Sequence, residues 1–90
     1  TGVTSTGRRL EVEVKRGGFD PSRLRGDARQ HFRRQIGRMT ALNARGAAAF
    51  WVCDAADLVR ALEILRQDPA ARVSFDDDGH PRFTYRGTNA

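Results

Sequence analysis

Residues 8–18 read Arg-Arg-Leu-Glu-Val-Glu-Val-Lys-Arg-Gly-Gly. From Arg9 to Lys15 the stretch alternates strictly: Leu10, Val12 and Val14 point to one side, and Arg9, Glu11, Glu13 and Lys15 to the other. A period of two is the signature of a half-buried strand, and Gly17-Gly18 ends it. Downstream the period changes. Asp27, with Gln30 three residues on, is a capping-box pattern, so a helix is expected from about residue 28 to 45, with Gly46 as its stop. At 100° per residue Ala28, Phe32, Ile36, Met39 and Leu42 form one stripe, which also takes in Gln35. His31 lies at the edge of that stripe as a structural residue, and the arginines lie outside it.

Residues 47–53, Ala-Ala-Ala-Phe-Trp-Val-Cys, are continuously apolar and read as a strand covered on both faces, as in a parallel sheet. Asp54, supported by Asp57, caps a second helix to about Gln67 that buries Leu58, Leu62 and Leu65, and Asp68-Pro69 ends it. Residues 72–76 form a third strand, Asp77-Asp78-Gly79 a turn, and residues 82–86 a returning fourth strand. Upstream, residues 1–7 are small and polar, a loop or the remnant of an upstream element. Strand, helix, strand, helix, hairpin is an α/β order: a right-handed βαβ unit followed by a hairpin, giving a small mixed sheet with helices packed on it. Leu10, Val12, Val14, Phe50, Val52, Val73 and Phe75 are the expected sheet core. Ninety residues allow one domain with one modest core.

Sixteen basic residues against eleven acidic give a net charge of +5. Residues 1–45 hold eleven basic and four acidic residues, a net of +7, and residues 46–90 hold five and seven, a net of −2. A polyanion, above all nucleic acid, should therefore meet the first half. Arg16, Arg29, Arg33, Arg34 and Arg38 are the candidate phosphate contacts, independent of base sequence. A single cysteine excludes an internal disulfide framework and a cysteine-cluster metal site. Cys53 and Trp51 read as packing residues, and Asp76 to Asp78 as a turn. No apolar run is long enough for a membrane-spanning helix, so a soluble chain with no membrane partner is expected.

One pattern carries chemistry. Glu13 and Lys15, two apart on a strand, project from one face roughly 6–7 Å from each other. The carboxylate can hold a divalent cation through oxygen, and the ammonium can orient a water or steady a developing phosphate charge. Lys15 is the single lysine beside fifteen arginines, which marks it as a position where a compact charge that can lose its proton is wanted.

The stretch "LEVEVKRGG", the basic Gln35-bearing helix and then "AAAFWVCD" resemble the PD-(D/E)xK, restriction-endonuclease-like nuclease superfamily, and in particular the nuclease domains of polymorphic bacterial toxins. The likeness covers about residues 8–67. It implies that Glu13 binds Mg²⁺ (or Mn²⁺) and Lys15 assists catalysis, that Gln35 stands near the site, and that Glu11 is a further ligand. DNA is the implied substrate, and a cognate immunity protein, acidic where it covers the basic face, an implied partner. The domain would act in a cytoplasm, after delivery as part of a secreted protein. The family also uses an acidic ligand upstream, and no acid precedes Glu11; the expectation is a core missing its N-terminal part.

Two other readings stand beside this one. His80, Arg82, Thr84 and Arg86 share one face of the last strand, with Phe83 and Tyr85 on the other. A histidine acid or base with arginine to hold phosphate suits metal-independent RNA cleavage, as in ribonuclease toxins. Alternatively the chain is a non-catalytic basic module that binds nucleic acid or a partner protein.

Overall fold

The alternating stretch is a strand whose two faces meet different helices. The computed structural model describes residues 2–4 and 7–85. In chain order it holds β1 (Gly2–Val3), β2 (Arg9–Val14), α1 (Gly26–Ala44), β3 (Ala48–Val52), α2 (Ala55–Gln67), β4 (Arg72–Phe75) and β5 (Pro81–Thr84). β2 and β3 pair in parallel, Leu10 with Ala48 through Val14 with Val52, and α1 connects them. β1 is a two-residue antiparallel addition to Arg9 and Leu10. No helix among the described residues is long and apolar enough to cross a membrane.

All five residues of β3 are buried, because both faces are covered. Ala49 and Trp51 face α1 and cluster with Phe32 and Met39. Ala48, Phe50 and Val52 face the other way, toward Ala61 and Leu65 of α2 and Val73 of β4. Leu10 and Val12 border this second cluster.

Several expectations need correction. The hairpin β4–β5 is a separate two-stranded sheet rather than part of one mixed sheet. It lies against β3, with the Phe83 ring 5.1 Å from that of Phe50, but β3 offers it no edge at Ala49. The Asn43 side chain already pairs there, its Nδ2 donating to the Ala49 carbonyl at 3.0 Å and its Oδ1 accepting from the Ala49 N–H at 2.6 Å. An amide at the end of α1 thus stands in for a neighbouring strand. Val14 is 70% exposed rather than core, at the far end of β2 from the part that borders the α2 cluster. Leu62 is 40% exposed. Ala61 takes the central position instead, its small side chain letting α2 approach the sheet.

The helix ends follow local chemistry. α1 starts from an extended Arg25 with no side-chain cap, and Asp27 lies inside the first turn, where its charge meets the helix dipole rather than capping it. Ala28 is exposed in that first turn, as is His31 in the next. The other end is a Schellman closure: the Gly46 N–H reaches the Asn43 carbonyl at 3.1 Å and the Ala47 N–H reaches that of Leu42 at 3.1 Å, with Gly46 at φ +99°. Asp54 caps α2 as expected, its Oδ1 accepting from the Asp57 N–H at 2.8 Å.

Candidate functional site

Glu11, Glu13 and Lys15 stand on the face of β2 that α1 crosses, so helix residues complete whatever that face does. The Lys15 Nζ donates to Gln35 Oε1 at 2.5 Å. It also lies 5.3 Å from the ring centroid of Phe19 and 5.7 Å from that of Phe32. Lys15 is half-buried, and no carboxylate pairs with it among the described residues. Its charge is held by an amide oxygen and two aromatic faces. An ammonium carries three donors, so two remain for a ligand. The strand fixes the lysine's root and α1 fixes its head.

Glu13 is exposed and lies beside Trp51 in register, and its carboxylate makes no hydrogen bond or ion pair among the described residues. Glu11 differs. Its Oε2 accepts from Arg9 Nε at 3.0 Å and Nη2 at 2.8 Å, and Arg38 Nη2 lies 3.9 Å from its Oε1. The hydrogen bonds from Arg9, with the charges of Arg9 and Arg38, hold the Glu11 carboxyl below the usual range, against a smaller desolvation.

The arginines of α1 point in different directions. Arg38 lies on the edge beside β2, 3.9 Å from Glu11, and Arg34 is exposed on the side of the helix away from its apolar stripe. Arg29 and Arg33 lie on the opposite edge, where with Ile36 they flank a cleft closed by Asp76, Asp77 and Asp78. All four guanidinium side chains are exposed, as is Arg16 just past β2. Of these arginines, Arg38 stands beside Glu11 on that strand face; Arg29 and Arg33 overlook an acidic turn.

That turn is built by Asp76. Its Oδ1 accepts from the Asp78 N–H at 3.0 Å and the His80 N–H at 2.9 Å. It also lies 3.6 Å from His80 Nδ1, and Arg82 Nε lies 3.8 Å from its Oδ2. The His80 backbone N–H is the largest of the influences that lower the Asp76 carboxyl. Among the described residues, Asp76, Asp78 and His80 are the one group of three metal-type donors that come together, within 4.8 Å of one another. The hydrogen bonds of a tight turn account for that grouping. His80, Arg82 and Thr84 are all exposed on one face of the hairpin, while Pro81 and Phe83 are half-buried on the other. Arg86, expected to extend the exposed face, lies outside the described residues.

His80 and Lys15 are kept apart by an aromatic cluster. The Trp51 ring centroid lies 5.2 Å from that of Phe19, 6.0 Å from that of Phe32 and 5.7 Å from that of His80. The Trp51 indole N–H donates to the Gly79 carbonyl at 2.8 Å. Cys53 is half-buried with its Sγ 3.8 Å from the Phe19 carbonyl, and burial pushes its thiol pKa up, as befits a packing residue.

Sequence reasoning missed three participants. Phe32 read only as core, although its place three residues before Gln35 puts both on one side of α1. Arg9 was legible as a neighbour of Glu11 on the same strand face, and its claim on that carboxylate was overlooked. Phe19 follows two glycines in a loop, and no periodicity marks it. Comparison with protein-family models, with curated proteins and with solved structures finds no match to this chain.

Proposed function

We propose that this chain is a metal-dependent nuclease domain that hydrolyses DNA, with β2, α1 and β3 as a restriction-endonuclease-like core. The observation that carries the reading is the Lys15–Gln35 hydrogen bond. It joins the strand and helix candidates into one constellation, with the unpaired Glu13 two residues away on the same face.

A cation fits this face at Glu13 and not at Glu11, whose carboxylate is engaged by Arg9 and Arg38. One free carboxylate, with waters and a substrate phosphate, is a donor set that Mg²⁺ accepts. When bound there, the ion would polarise a phosphoryl oxygen and its water. The chain's own groups do the rest. Gln35 fixes the Lys15 ammonium and leaves it two donors, one for a non-bridging phosphate oxygen and one for the attacking water. Phe19 and Phe32 exclude solvent beneath it, which strengthens its field on a developing negative charge. Arg34, Arg38 and Arg16 hold flanking phosphates. Delivery as a bacterial toxin module, with an immunity protein as partner, belongs to the same proposal.

A second reading rests on the Asp76 carboxylate beside His80 Nδ1 and Arg82, an oriented histidine next to a cation, as RNA cleavage without metal requires. Incubation with supercoiled plasmid and with RNA separates the two. The nuclease reading expects plasmid cleavage with Mg²⁺, none in EDTA, and a loss of orders of magnitude in Glu13→Gln with the fold intact. RNA cleavage that persists in EDTA and vanishes in His80→Ala would replace it with the second reading.

A further inference from the structure

A cavity of about 310 Å³ lies between the end of β3, α2 and β5. Its walls are aromatic, with Phe19, Trp51 and Phe83, and Asp57, Arg60 and His80 line it as well. The volume is at the small end of ligand sites, roughly 300–1,000 Å³. Apolar, flat-sided walls with a carboxylate, a guanidinium and an imidazole describe a site for a planar heteroaromatic ring that carries hydrogen-bonding edges. Arg60 Nη1 donates to Asp57 Oδ1 at 3.4 Å, which leaves Asp57 Oδ2 and the other Arg60 N–H groups to meet a polar ligand edge. Phe19 is common to both places: one face of its ring meets the Lys15 ammonium, and the ring also lines the cavity.

We infer that this cavity takes a single unstacked nucleobase, the base of a nucleotide whose phosphate lies at Lys15. The inference rests on the nucleic-acid reading of the preceding section and narrows its substrate. A base can enter only after leaving the helical stack, so single-stranded DNA, or a nucleotide turned out of a duplex, is what the domain holds. Phe83 and Phe19 supply the stacking surfaces. Arg60 and Asp57 supply the polar pair for the base edge.

The chain contains a single tryptophan, Trp51, and it lines the cavity, so its fluorescence reports occupancy directly. The probes are the four deoxynucleosides, with indole as an apolar ring of similar size, titrated in EDTA. The expected result is a saturable change in Trp51 emission with at least one deoxynucleoside. In Phe83→Leu, which keeps the apolar volume and loses the ring, affinity should fall about tenfold, while Phe83→Tyr restores it. In Arg60→Ala, an exposed position where folding is not at risk, the preference among the four bases should flatten. No saturable response to any deoxynucleoside would overturn the inference, as would a response to indole alone or unchanged affinity in Phe83→Leu. Because these titrations contain no metal and measure no cleavage, they fail or succeed separately from the plasmid assay.

Discussion

Gly79 meets two demands at once. Its φ of +95° is a conformation that side chains rarely adopt, and an added Cβ would lie 2.5 Å from Phe32 Cε2. Its carbonyl also takes the Trp51 indole N–H. Gly79→Ala should therefore cost about 2–5 kcal/mol, combining backbone strain with overpacking, as measured by urea unfolding. A cost below 0.5 kcal/mol would mean that the turn is not locked to the aromatic cluster. Arg8 is a second position where one side chain ties distant segments. Its guanidinium donates to the carbonyls of Gly46, Ala47, Pro69 and Ala71 at 2.7–3.0 Å. Burial lowers its pKa, partly offset by the charge of Asp68. The planar fork reaches two loops at once, so Arg8→Lys should recover little of a loss of about 2–3 kcal/mol in Arg8→Ala. Neither role was legible beforehand. Gly79 reads as an ordinary turn glycine and Arg8 as one more surface arginine, because both depend on what folds against them from distant parts of the chain.

Among the elements, α1 decides what the basic half of the chain can touch. Its apolar stripe of Phe32, Ile36 and Met39 points into the fold and leaves one edge beside β2 and the other beside the Asp76–Asp78 turn. On the proposed reading, phosphates drawn to the Lys15 face would meet Arg38, whereas Arg29 and Arg33 overlook three carboxylates. In DNA titrations over salt, Arg38→Ala should therefore shallow the log-log slope by about one unit. Arg29→Ala with Arg33→Ala should leave it nearly unchanged. Equal effects would mean a uniformly basic helix with no preferred edge. The elements themselves were largely readable in order and kind, because periods of two and 3.6 and the Asp54 and Gly46 signals are local. The start of α1 was misplaced by an acid that looks like a cap and serves the dipole instead. Leu62 was misplaced because the contact between helix and sheet is governed by the small Ala61, a choice that hydrophobicity does not reveal.

For the molecule as a whole, four carboxylates are held below their ordinary values of 4.5 for Glu11 and Glu63 and 3.8 for Asp20 and Asp76. The largest cause is a hydrogen bond in each case, from Arg9, Arg66, Ser22 and the His80 backbone respectively. A carboxylate with a depressed folded-state pKa stabilises the fold above its unfolded value and loses that contribution as pH falls through the folded value. The urea midpoint should thus be level above about pH 5 and decline on acidification through the carboxylate range; a midpoint that rises there would contradict the pairing. The parallel pairing of β2 with β3 was foreseeable from a continuous apolar run after a helix. The detachment of the hairpin was not, and no local signal marks the Asn43 amide that pairs with β3 at Ala49. At the site, the sequence placed Glu13 and Lys15 on one strand face, and Gln35 entered only through a resemblance. If Lys15, positioned by Gln35 beside Glu13, works in phosphodiester hydrolysis, Mg²⁺-dependent plasmid cleavage by Lys15→Arg beside Lys15→Ala shows it most plainly. Arginine keeps the charge, but its broad, permanently protonated fork does not fit between the Gln35 amide and the two phenyl rings. The account predicts that both variants stay folded and both lose at least about a hundredfold in rate; full activity in Lys15→Arg would contradict it.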